Sequence, residues 1–252
     1  MGFDIPAEAY DRFMGRYSNL LSPLFADFAG VESGQRALDV GCGPGALTAE
    51  LVSRLGTDAV AAVDPSVSFV EAARERYPEV DIREAKAENL PFPDDTFDVA
   101  LAQLVVHFMK DPVAGITEMR RVVRDGGVVA ATVWDFVGER SPLTVFWQAA
   151  RELDSTVRDD SAVPGASEGD LTRIFTESGL GDVREVPLEV SMLHSSFDDW
   201  WVPYMGGVGP VGSYFASLTE KKQEAVRERC REMLPRGSFT LVSRAWAARG
   251  IA

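Results

Sequence analysis

The sequence predicts an α/β fold with a doubly wound, mostly parallel sheet. Short apolar runs that are typical of buried strands alternate with helical stretches, and this alternation builds a parallel sheet with helices on both faces. The first apolar run ends in a turn that contains Gly41, Gly43 and Gly45, and helix-forming residues begin directly after it. Glycine permits positive φ and lets a ligand approach the backbone. A strand, a glycine-rich turn and a helix in this order are typical of a nucleotide-binding site.

Strand and helix patterns alternate between residues 36 and 134. The predicted strands are Arg36–Val40, Ala59–Asp64, Val80–Glu84, Phe97–Gln103 and Val128–Trp134. The predicted helices between them are Ala46–Leu55, Ser66–Tyr77 and Pro112–Arg124. Pro65 and Pro112 suit helix starts, because proline lacks an N–H that the first helical turn leaves unpaired in any case. The glycines of Asp125–Gly127 are expected to form a turn that ends the third helix.

The pattern changes after Trp134. Helices are predicted at Ser141–Ser155 and Glu168–Ser178, and they are separated by a polar stretch. Two long strand candidates follow at Val183–Leu193 and Phe239–Arg249. The connection between these strands is more than 40 residues long, which far exceeds a hairpin loop and usually indicates a functional segment.

This connection, Ser195–Ser238, contains an aromatic-rich stretch, a run of glycines (Gly206–Gly212) and a charged amphipathic helix at Thr219–Leu234. The first 33 residues also lie outside the sheet pattern and are predicted to form one or two helices. We therefore expect residues 1–33 to be a helical cover and residues 195–238 to be an inserted lid with a glycine hinge. The sheet domain would comprise residues 34–194 and 239–252.

Composition limits the function classes. The chain has 252 residues, of which 46% are hydrophobic and 25% charged, as expected for a globular protein with one large core. No apolar run approaches the roughly 20 residues that span a membrane, and the first residues lack the pattern of a signal peptide. Cys42 and Cys230 make neither a disulfide framework nor a metal cluster. We expect a cytoplasmic protein without a metal.

The net charge of −14 argues against nucleic acid as a partner, because basic surface supplies most of that affinity. It also disfavours an anionic membrane surface. A small molecule is therefore the expected partner, whereas the oligomeric state is not predicted.

Three motifs resemble those of the class I S-adenosylmethionine-dependent methyltransferases. The sequence L-D-V-G-C-G-P-G-A-L-T, which places Asp39 two residues before Gly41, resembles motif I. The sequence A-E-N-L-P-F-P-D-D-T-F-D (Ala87–Asp98) resembles the segment before the fourth strand in the ubiquinone and menaquinone methyltransferase-like group. R-R-V-V-R-D-G-G-V-V-A-A-T is similar to the helix, glycine turn and fifth strand of that group. The three motifs cover roughly Gly34 to Trp134.

This resemblance implies a Rossmann-like, seven-stranded sheet whose last two strands form an antiparallel edge. It also implies S-adenosyl-L-methionine as cofactor and methyl transfer as the reaction. The expected cofactor contacts from the first turn are Gly41, Cys42, Gly43 and Gly45, with Cys42 contributing only its backbone. Asp39 would either orient the cofactor's amino group or brace the turn.

Asp64 ends the second strand, about 20 residues after the first glycine, where a carboxylate accepts both hydroxyls of a ribose. The alternative is that Asp64 caps the helix beginning at Pro65. Pro65 is itself an expected cofactor contact. The resemblance places Ala87 and Glu88 at the adenine. The residue before them is Lys86, where the family usually has an aspartate that accepts a hydrogen bond from the adenine amine. Because lysine only donates, either Glu88 or a backbone carbonyl would serve that amine.

Gln103 ends the fourth strand beside the topological switch point and is expected to face the reactive part of the cofactor. Tyr17 of the N-terminal segment is also expected to contact the cofactor. His107, one of only two histidines, lies four residues after Gln103 and is a candidate general base and acceptor contact. The alternative is that His107 only packs. The other histidine, His194, is expected at the surface.

Methyl transfer from a sulfonium has a good leaving group, so the protein works mainly by aligning the acceptor and excluding water. A base is needed only if the acceptor must lose a proton. The remaining acceptor contacts are expected to be aromatic, since they would wall an enclosed apolar site. They are Tyr10, Trp134, Trp200, Trp201 and Tyr204. The predicted acceptor is therefore small and apolar or aromatic, methylated on O, C or N.

Two other functions compete with this prediction. The sequence G-C-G-P-G-A also fits the dinucleotide fingerprint, and Asp64 would suit the ribose of NAD, as in an NAD-linked oxidoreductase. However, Pro44 removes one of the backbone N–H groups that a pyrophosphate needs. The third hypothesis is a protein that binds S-adenosylmethionine without catalysis. It is favoured if neither His107 nor a lid residue points toward the sulfonium.

Overall fold

The computed structural model describes residues 7–157 and 160–252. Its core is a seven-stranded sheet with the order β3-β2-β1-β4-β5-β7-β6. The strands are β1 (Ala37–Val40), β2 (Val60–Asp64), β3 (Asp81–Glu84), β4 (Phe97–Gln103), β5 (Val123–Trp134), β6 (Gly181–His194) and β7 (Phe239–Ile251). Strands β1 to β5 pair in parallel, and β7 runs antiparallel to both β5 and β6. The predicted mostly parallel sheet with an antiparallel edge is confirmed.

Ten α-helices are found in the described residues. They are α1 (Ala7–Tyr10), α2 (Arg16–Ala29), α3 (Ala46–Leu55), α4 (Val67–Arg76), α5 (Pro112–Val122), α6 (Thr144–Leu153), α7 (Asp170–Glu177), α8 (Phe197–Trp201), α9 (Gly209–Ser217) and α10 (Glu220–Met233). A π-helical turn, Asp11–Gly15, joins α1 to α2. None of the helices in this part of the chain is long and apolar enough to cross a bilayer.

Helices cover both faces of the sheet, as the alternating pattern predicts. On one face α2, α3 and α4 bury side chains such as Phe25, Leu51 and Val70. On the other face α5 and α7 bury Ile116 and Phe175. The doubly wound arrangement follows because each helix buries one apolar stripe against a strand that is itself apolar on both sides.

The glycine turn predicted at Asp125–Gly127 is instead a bulge inside β5. Strand β5 already begins at Val123, which pairs with Phe97, and the register then shifts so that Val99 pairs with Val128. Gly126, at a φ of 77°, donates its N–H to the carbonyl of Ala252 at 3.1 Å. The end of β7 therefore supplies a partner for backbone that the sequence pattern assigns to a free turn.

The segment from Ser195 to Ser238 leaves the sheet at the tip of the β6–β7 hairpin, where His194 pairs with Phe239. It holds α8, α9 and α10, and we refer to it as the insert. Together with α6 and the N-terminal helices, the insert forms a third apolar cluster beside the sheet. Residues 1–6 of the predicted N-terminal cover lie outside the described residues.

Candidate functional site

The turn after β1 is built from glycines in the left-handed region. Gly41, Gly43 and Gly45 have φ values of 73°, 53° and 103°, which other residues rarely adopt. A Cβ on Gly41 would lie 2.4 Å from Val105, so close packing demands glycine there. At Gly43, by contrast, a Cβ would meet no atom within 4 Å. The turn therefore leaves open space directly over the backbone of Gly43.

Asp64 braces this turn from the end of β2. Its Oδ2 accepts a hydrogen bond from the N–H of Gly43 at 2.9 Å, and its Oδ1 accepts one from the N–H of Ser66 at 2.8 Å. Burial raises the pKa of Asp64, and the two backbone donors oppose that rise. Ser66 is the N-cap residue of α4, which begins at Val67, so Asp64 holds the residue before the helix and does not cap its first turn. A carboxylate has about four lone-pair sites, so the two backbone bonds leave sites for ribose hydroxyls.

Two buried acceptor atoms beside the turn lack partners among the described residues. Asp39 uses Oδ2 to accept a hydrogen bond from the Thr48 hydroxyl at 2.7 Å, but its Oδ1 is unpaired. Gln103 donates from Nε2 to the carbonyl of Ser18 at 3.2 Å, and its Oε1 is unpaired. Asp39 pairs with Leu101 across the sheet, so Gln103 lies on the same face two residues further along. Buried acceptors without donors indicate that a ligand completes this site.

The other predicted cofactor contacts are held by local bonds. Cys42 donates its N–H to the carbonyl of Val63 at 3.0 Å, and burial raises the pKa of its thiol, which remains neutral. Ala87 is buried in the core. Glu88 accepts hydrogen bonds at Oε1 from the N–H groups of Lys110 (2.8 Å) and Asp111 (3.3 Å). Its other oxygen, Oε2, accepts no hydrogen bond from the described residues, so Glu88 and a backbone carbonyl both stay predicted partners for an adenine amine.

A largely apolar cavity, which is open to solvent at its mouth, lies at the carboxyl ends of β4 and β5. The described residues that line it are Tyr10, Phe13, Met14, Leu104, His107, Phe108, Trp134, Phe136, Leu143, Asp160, Val208, Gly209, Pro210 and Val211. We refer to it as the acceptor cavity. Residues of the N-terminal segment and of the insert both line it.

Tyr10 lies where the acceptor cavity meets the glycine turn. Its ring lines the cavity, and it contacts Phe69 edge to face at 5.4 Å. Burial raises the pKa of Tyr10 to about 12, a hydrogen bond with the Ser18 side chain opposes the rise, and the carboxyls of Asp64 and Asp39 add to it. The phenol therefore stays protonated between the two spaces.

His107 lines the cavity from a short turn after β4. Its ring centroid lies 3.9 Å from that of Phe108 and 5.7 Å from that of Phe136. Burial lowers the pKa of His107 to about 3, and its Nδ1 has no partner among the described residues. The imidazole is therefore neutral near pH 7 and can accept a hydrogen bond, but its low proton affinity makes it a weak base.

Among the predicted aromatic acceptor contacts, Tyr10 and Trp134 line the cavity, but three others do not. Trp200, Trp201 and Tyr204 are buried inside the insert's own cluster. The Tyr204 ring stacks on Phe146 of α6 at 5.4 Å, and its hydroxyl donates to the carbonyl of Pro142 at 2.9 Å. A connection this long needs a core of its own, and these aromatics supply it. The contacts from the insert are instead made by Val208–Val211, which the sequence pattern identified only as part of a hinge.

The hydroxyl of Tyr17 is held by a residue at the end of β6. This hydroxyl hydrogen-bonds Nε2 of His194 at 3.0 Å. Nδ1 of His194 is 3.8 Å from Asp199, whose carboxylate accepts two hydrogen bonds from Arg16 at 3.0 and 3.3 Å. This network joins α2 to the first helix of the insert. His194 is 1% exposed, so the expectation that it lies at the surface is wrong.

Replacing Tyr17 by phenylalanine is expected to lower stability without changing cofactor affinity. The substitution leaves buried Nε2 of His194 without its partner, which should cost about 1–3 kcal/mol of unfolding free energy. Urea unfolding measures this loss, and calorimetric titration with S-adenosylhomocysteine measures the affinity. Unchanged stability with a tenfold weaker affinity would instead support the predicted cofactor contact.

Phe13 and Met14 were missed as cavity residues, although a signal was present. Residues 10, 13, 14 and 17 follow the i, i+3, i+4, i+7 spacing of one helical face, and all four are apolar or aromatic. That spacing shows that the face is buried. It does not show that Phe13 and Met14 meet a cavity whereas Tyr17 meets His194. No sequence signal indicated Asp160.

Comparison with known proteins adds independent information. A family described as a methyltransferase domain matches residues 38–131. Phosphatidylethanolamine N-methyltransferase of Cereibacter sphaeroides is 34% identical over 186 residues, which cover 71% of this chain and 86% of the relative. Trans-aconitate 2-methyltransferase of Rhizobium etli is 28% identical over 198 residues, covering 76% and 74%. The names of these two relatives refer to different acceptors.

Other matches are shorter or more distant. An uncharacterized methyltransferase of Schizosaccharomyces pombe is 34% identical over 118 residues, and the match spans only 42% of each chain. Among solved structures, the YcgJ protein of Bacillus subtilis superimposes with a TM-score of 0.59 at 20% identity, over 93% of this chain and 97% of that one. This likeness concerns the fold.

Proposed function

Since this chain belongs to the class I S-adenosylmethionine-dependent methyltransferases, we propose that it methylates a small apolar or aromatic acceptor bound in the acceptor cavity. The observation that carries the proposal is the lining of that cavity, which is apolar except for Tyr10, His107 and Asp160 among its described residues. Such a lining favours apolar molecules because it offers few partners for polar groups. The relatives' names refer to different acceptors, so the support comes from the cavity itself.

The residues around the glycine turn fit S-adenosyl-L-methionine. The open space over Gly43 accommodates a ligand against the backbone. The unpaired Oδ1 of Asp39 and Oε1 of Gln103 suit an ammonium group, and the free lone pairs of Asp64 suit ribose hydroxyls. When bound, the cofactor supplies an electrophilic methyl group on a sulfonium.

The chain's own contribution to the reaction is alignment and exclusion of water. Phe13 and Met14 from one side and Val208 and Val211 from the other close over the cavity, and all four are buried. Holding the acceptor in one orientation converts transfer into an effectively unimolecular step. The neutral imidazole of His107 contacts the methyl acceptor and accepts a hydrogen bond from it. The lowered pKa of His107 supports this role over that of a strong base.

This proposal includes catalysis rather than cofactor binding alone, because the acceptor cavity adjoins the proposed cofactor residues at Tyr10. We further propose a cytoplasmic setting and a dissolved small molecule as partner. The net charge of −14 supports a partner other than nucleic acid.

Filling the acceptor cavity is expected to block the acceptor while sparing the cofactor. Met14→Trp adds an indole among the cavity-lining side chains, so acceptor KM should rise at least about tenfold. Affinity for S-adenosylhomocysteine should change less than threefold. The acceptor can be found by screening apolar and aromatic compounds for S-adenosylhomocysteine production.

Met205→Trp is the matched control, because Met205 lies on the insert, is 59% exposed and does not line this cavity. Met205→Trp should leave the acceptor KM and the affinity for S-adenosylhomocysteine unchanged. If Met14→Trp methylates the same acceptor with an unchanged KM, the acceptor binds elsewhere.

Cofactor affinity is expected to rise with pH up to about 7. Burial raises the pKa of Asp39 to about 7, with the Thr48 hydroxyl opposing the rise, and the carboxyl must ionise to pair with the ammonium group. Below pH 7 binding must first remove this proton, so affinity should fall by up to about tenfold per pH unit. Titrations with S-adenosylhomocysteine between pH 5.5 and 8 measure the slope.

The same shift sets a stability slope of opposite sign. Between the ordinary pKa of an aspartate and 7, the folded protein holds a proton that the unfolded chain has lost. The contribution of Asp39 to stability is therefore full at low pH and declines as pH rises toward 7. Asp39→Asn should flatten both slopes, and a variant that retains the affinity slope would assign it to another group.

A further inference from the structure

We infer that Asp160 recognises a cationic amine on the acceptor, so that the acceptor is an apolar or aromatic amine. This inference rests on the proposed function, because it concerns the same cavity. It names Asp160 as the residue that determines which apolar molecules are accepted.

Asp160 is the only residue with a formally charged side chain among the described residues that line the acceptor cavity. It begins a short 3-10 turn, Asp160–Ala162, ahead of α7. Its Oδ2 accepts a hydrogen bond from the indole N–H of Trp147 at 2.9 Å. This bond fixes the carboxylate in one orientation, and Oδ1 makes no hydrogen bond that the described residues record.

Among the described residues, the Asp160 carboxylate has no counter-charge. In the described part of the chain no lysine or arginine forms an ion pair with Asp160, and the neighbouring Arg151 pairs with Glu139 at 2.6 Å. Burial raises the pKa of Asp160, and the Trp147 indole opposes the rise. A partly buried carboxylate in apolar surroundings is costly unless a cation accompanies it. A ligand ammonium would supply that cation.

The remaining features agree with a cation. The described residues of the lining include no cationic group to receive an anionic acceptor, since His107 is neutral. The net charge of −14 also attracts cations and repels anions before they reach the cavity. An ammonium paired with Asp160 has no lone pair, so the methylated atom is a second nucleophile on the same molecule. Asp160 therefore determines specificity and takes no part in the chemistry.

The test compares three probes that share a phenyl group and differ in charge. They are 2-phenylethylamine, 2-phenylethanol and 3-phenylpropionate, titrated calorimetrically at pH 7.5 into the protein saturated with S-adenosylhomocysteine. The amine should bind at least about tenfold more tightly than the alcohol, because a hydrogen bond between charged groups exceeds a neutral one. The carboxylate should bind more weakly than either.

Asp160→Asn keeps an oxygen for the Trp147 indole but removes the charge, so it should abolish the preference for the amine and leave alcohol affinity within about threefold. Glu168→Gln is the control, because it removes the same charge from an exposed residue of the same connection that does not line the acceptor cavity. It should keep the preference.

The outcomes separate this inference from the proposed function. If the alcohol binds and the amine binds no better, or if Asp160→Asn keeps the preference, the inference is overturned while the apolar cavity stands. If none of the probes binds, the apolar acceptor site itself is overturned. The comparison of probes on the unchanged protein decides the question even if the variant fails to fold.

Discussion

Replacing Gly43 by alanine is expected to abolish binding of S-adenosylmethionine while leaving the protein folded. A Cβ at this position meets no protein atom within 4 Å, so the new methyl group projects into the open space over the turn. The variant should lose only about 1–2 kcal/mol of unfolding free energy, because a residue other than glycine is strained at a φ of 53°. If the cofactor occupies that space, the methyl group excludes it, and affinity should fall more than about 100-fold.

Gly34→Ala provides the matched control. Gly34 also has a positive φ, 90°, and a Cβ there would likewise meet nothing within 4 Å, but it lies in the turn before β1. Both variants should show a similar loss of unfolding free energy in urea. Only Gly43→Ala should lose the thermal protection by S-adenosylhomocysteine. Equal protection of the two variants would mean that the cofactor does not pass over Gly43.

The second large effect is expected for Asp64→Ala. A ligand at 100 times its Kd adds about 2.7 kcal/mol to the unfolding free energy, and the variant should lose most of this gain. Two causes combine, because the ribose hydroxyls lose their acceptor and the N–H groups of Gly43 and Ser66 lose their brace. Glu84→Ala is the control, because Glu84 lies opposite Asp64 in the β2–β3 register but its side chain is exposed.

A cofactor analogue separates the two causes. S-adenosylhomocysteine without its ribose hydroxyls should bind the unchanged protein much more weakly than the parent compound, whereas Asp64→Ala should not distinguish the two. Such a cycle isolates the contact from the effect on the turn. Discrimination retained by the variant would assign the ribose to another residue.

The sheet could be predicted from the sequence because each of its signals is local. Strands β1 and β2 are short apolar runs, and the intervening helices have recognisable ends such as Pro112. The bulge around Gly126 could not be predicted, since its hydrogen-bond partner, Ala252, lies at the other end of the chain. Local patterns determine elements, and distant partners determine their exact ends.

The site was predictable to a similar extent. The glycine turn and Asp64 are predicted from the ends of two successive strands, and the spacing between them is set by the fold itself. The side chains that line the acceptor cavity come from five separate segments, and periodicity shows only that a side chain is buried. Trp200 and Val211 are both buried, yet Trp200 packs within the insert and Val211 lines the cavity. Nothing local distinguishes these two environments.

The position of the insert at the tip of the β6–β7 hairpin has a consequence for folding. Closing a loop of more than 40 residues costs about 2 kcal/mol more in chain entropy than closing a four-residue turn. Pairing of β6 with β7, from His194–Phe239 to Gly181–Ile251, is therefore only weakly favourable until the aromatic residues of the insert have packed together. The pairs β1–β2 and β2–β3 need no such step, because the segments that connect them, residues 41–59 and 65–80, are much shorter. We expect amide exchange in β6, β7 and the insert to occur through openings of lower free energy than exchange in β1 and β2. Some molecules would then keep β1, β2 and the glycine turn folded while β6, β7 and the insert are open. The order in which backbone amides exchange would therefore report the order in which these parts fold.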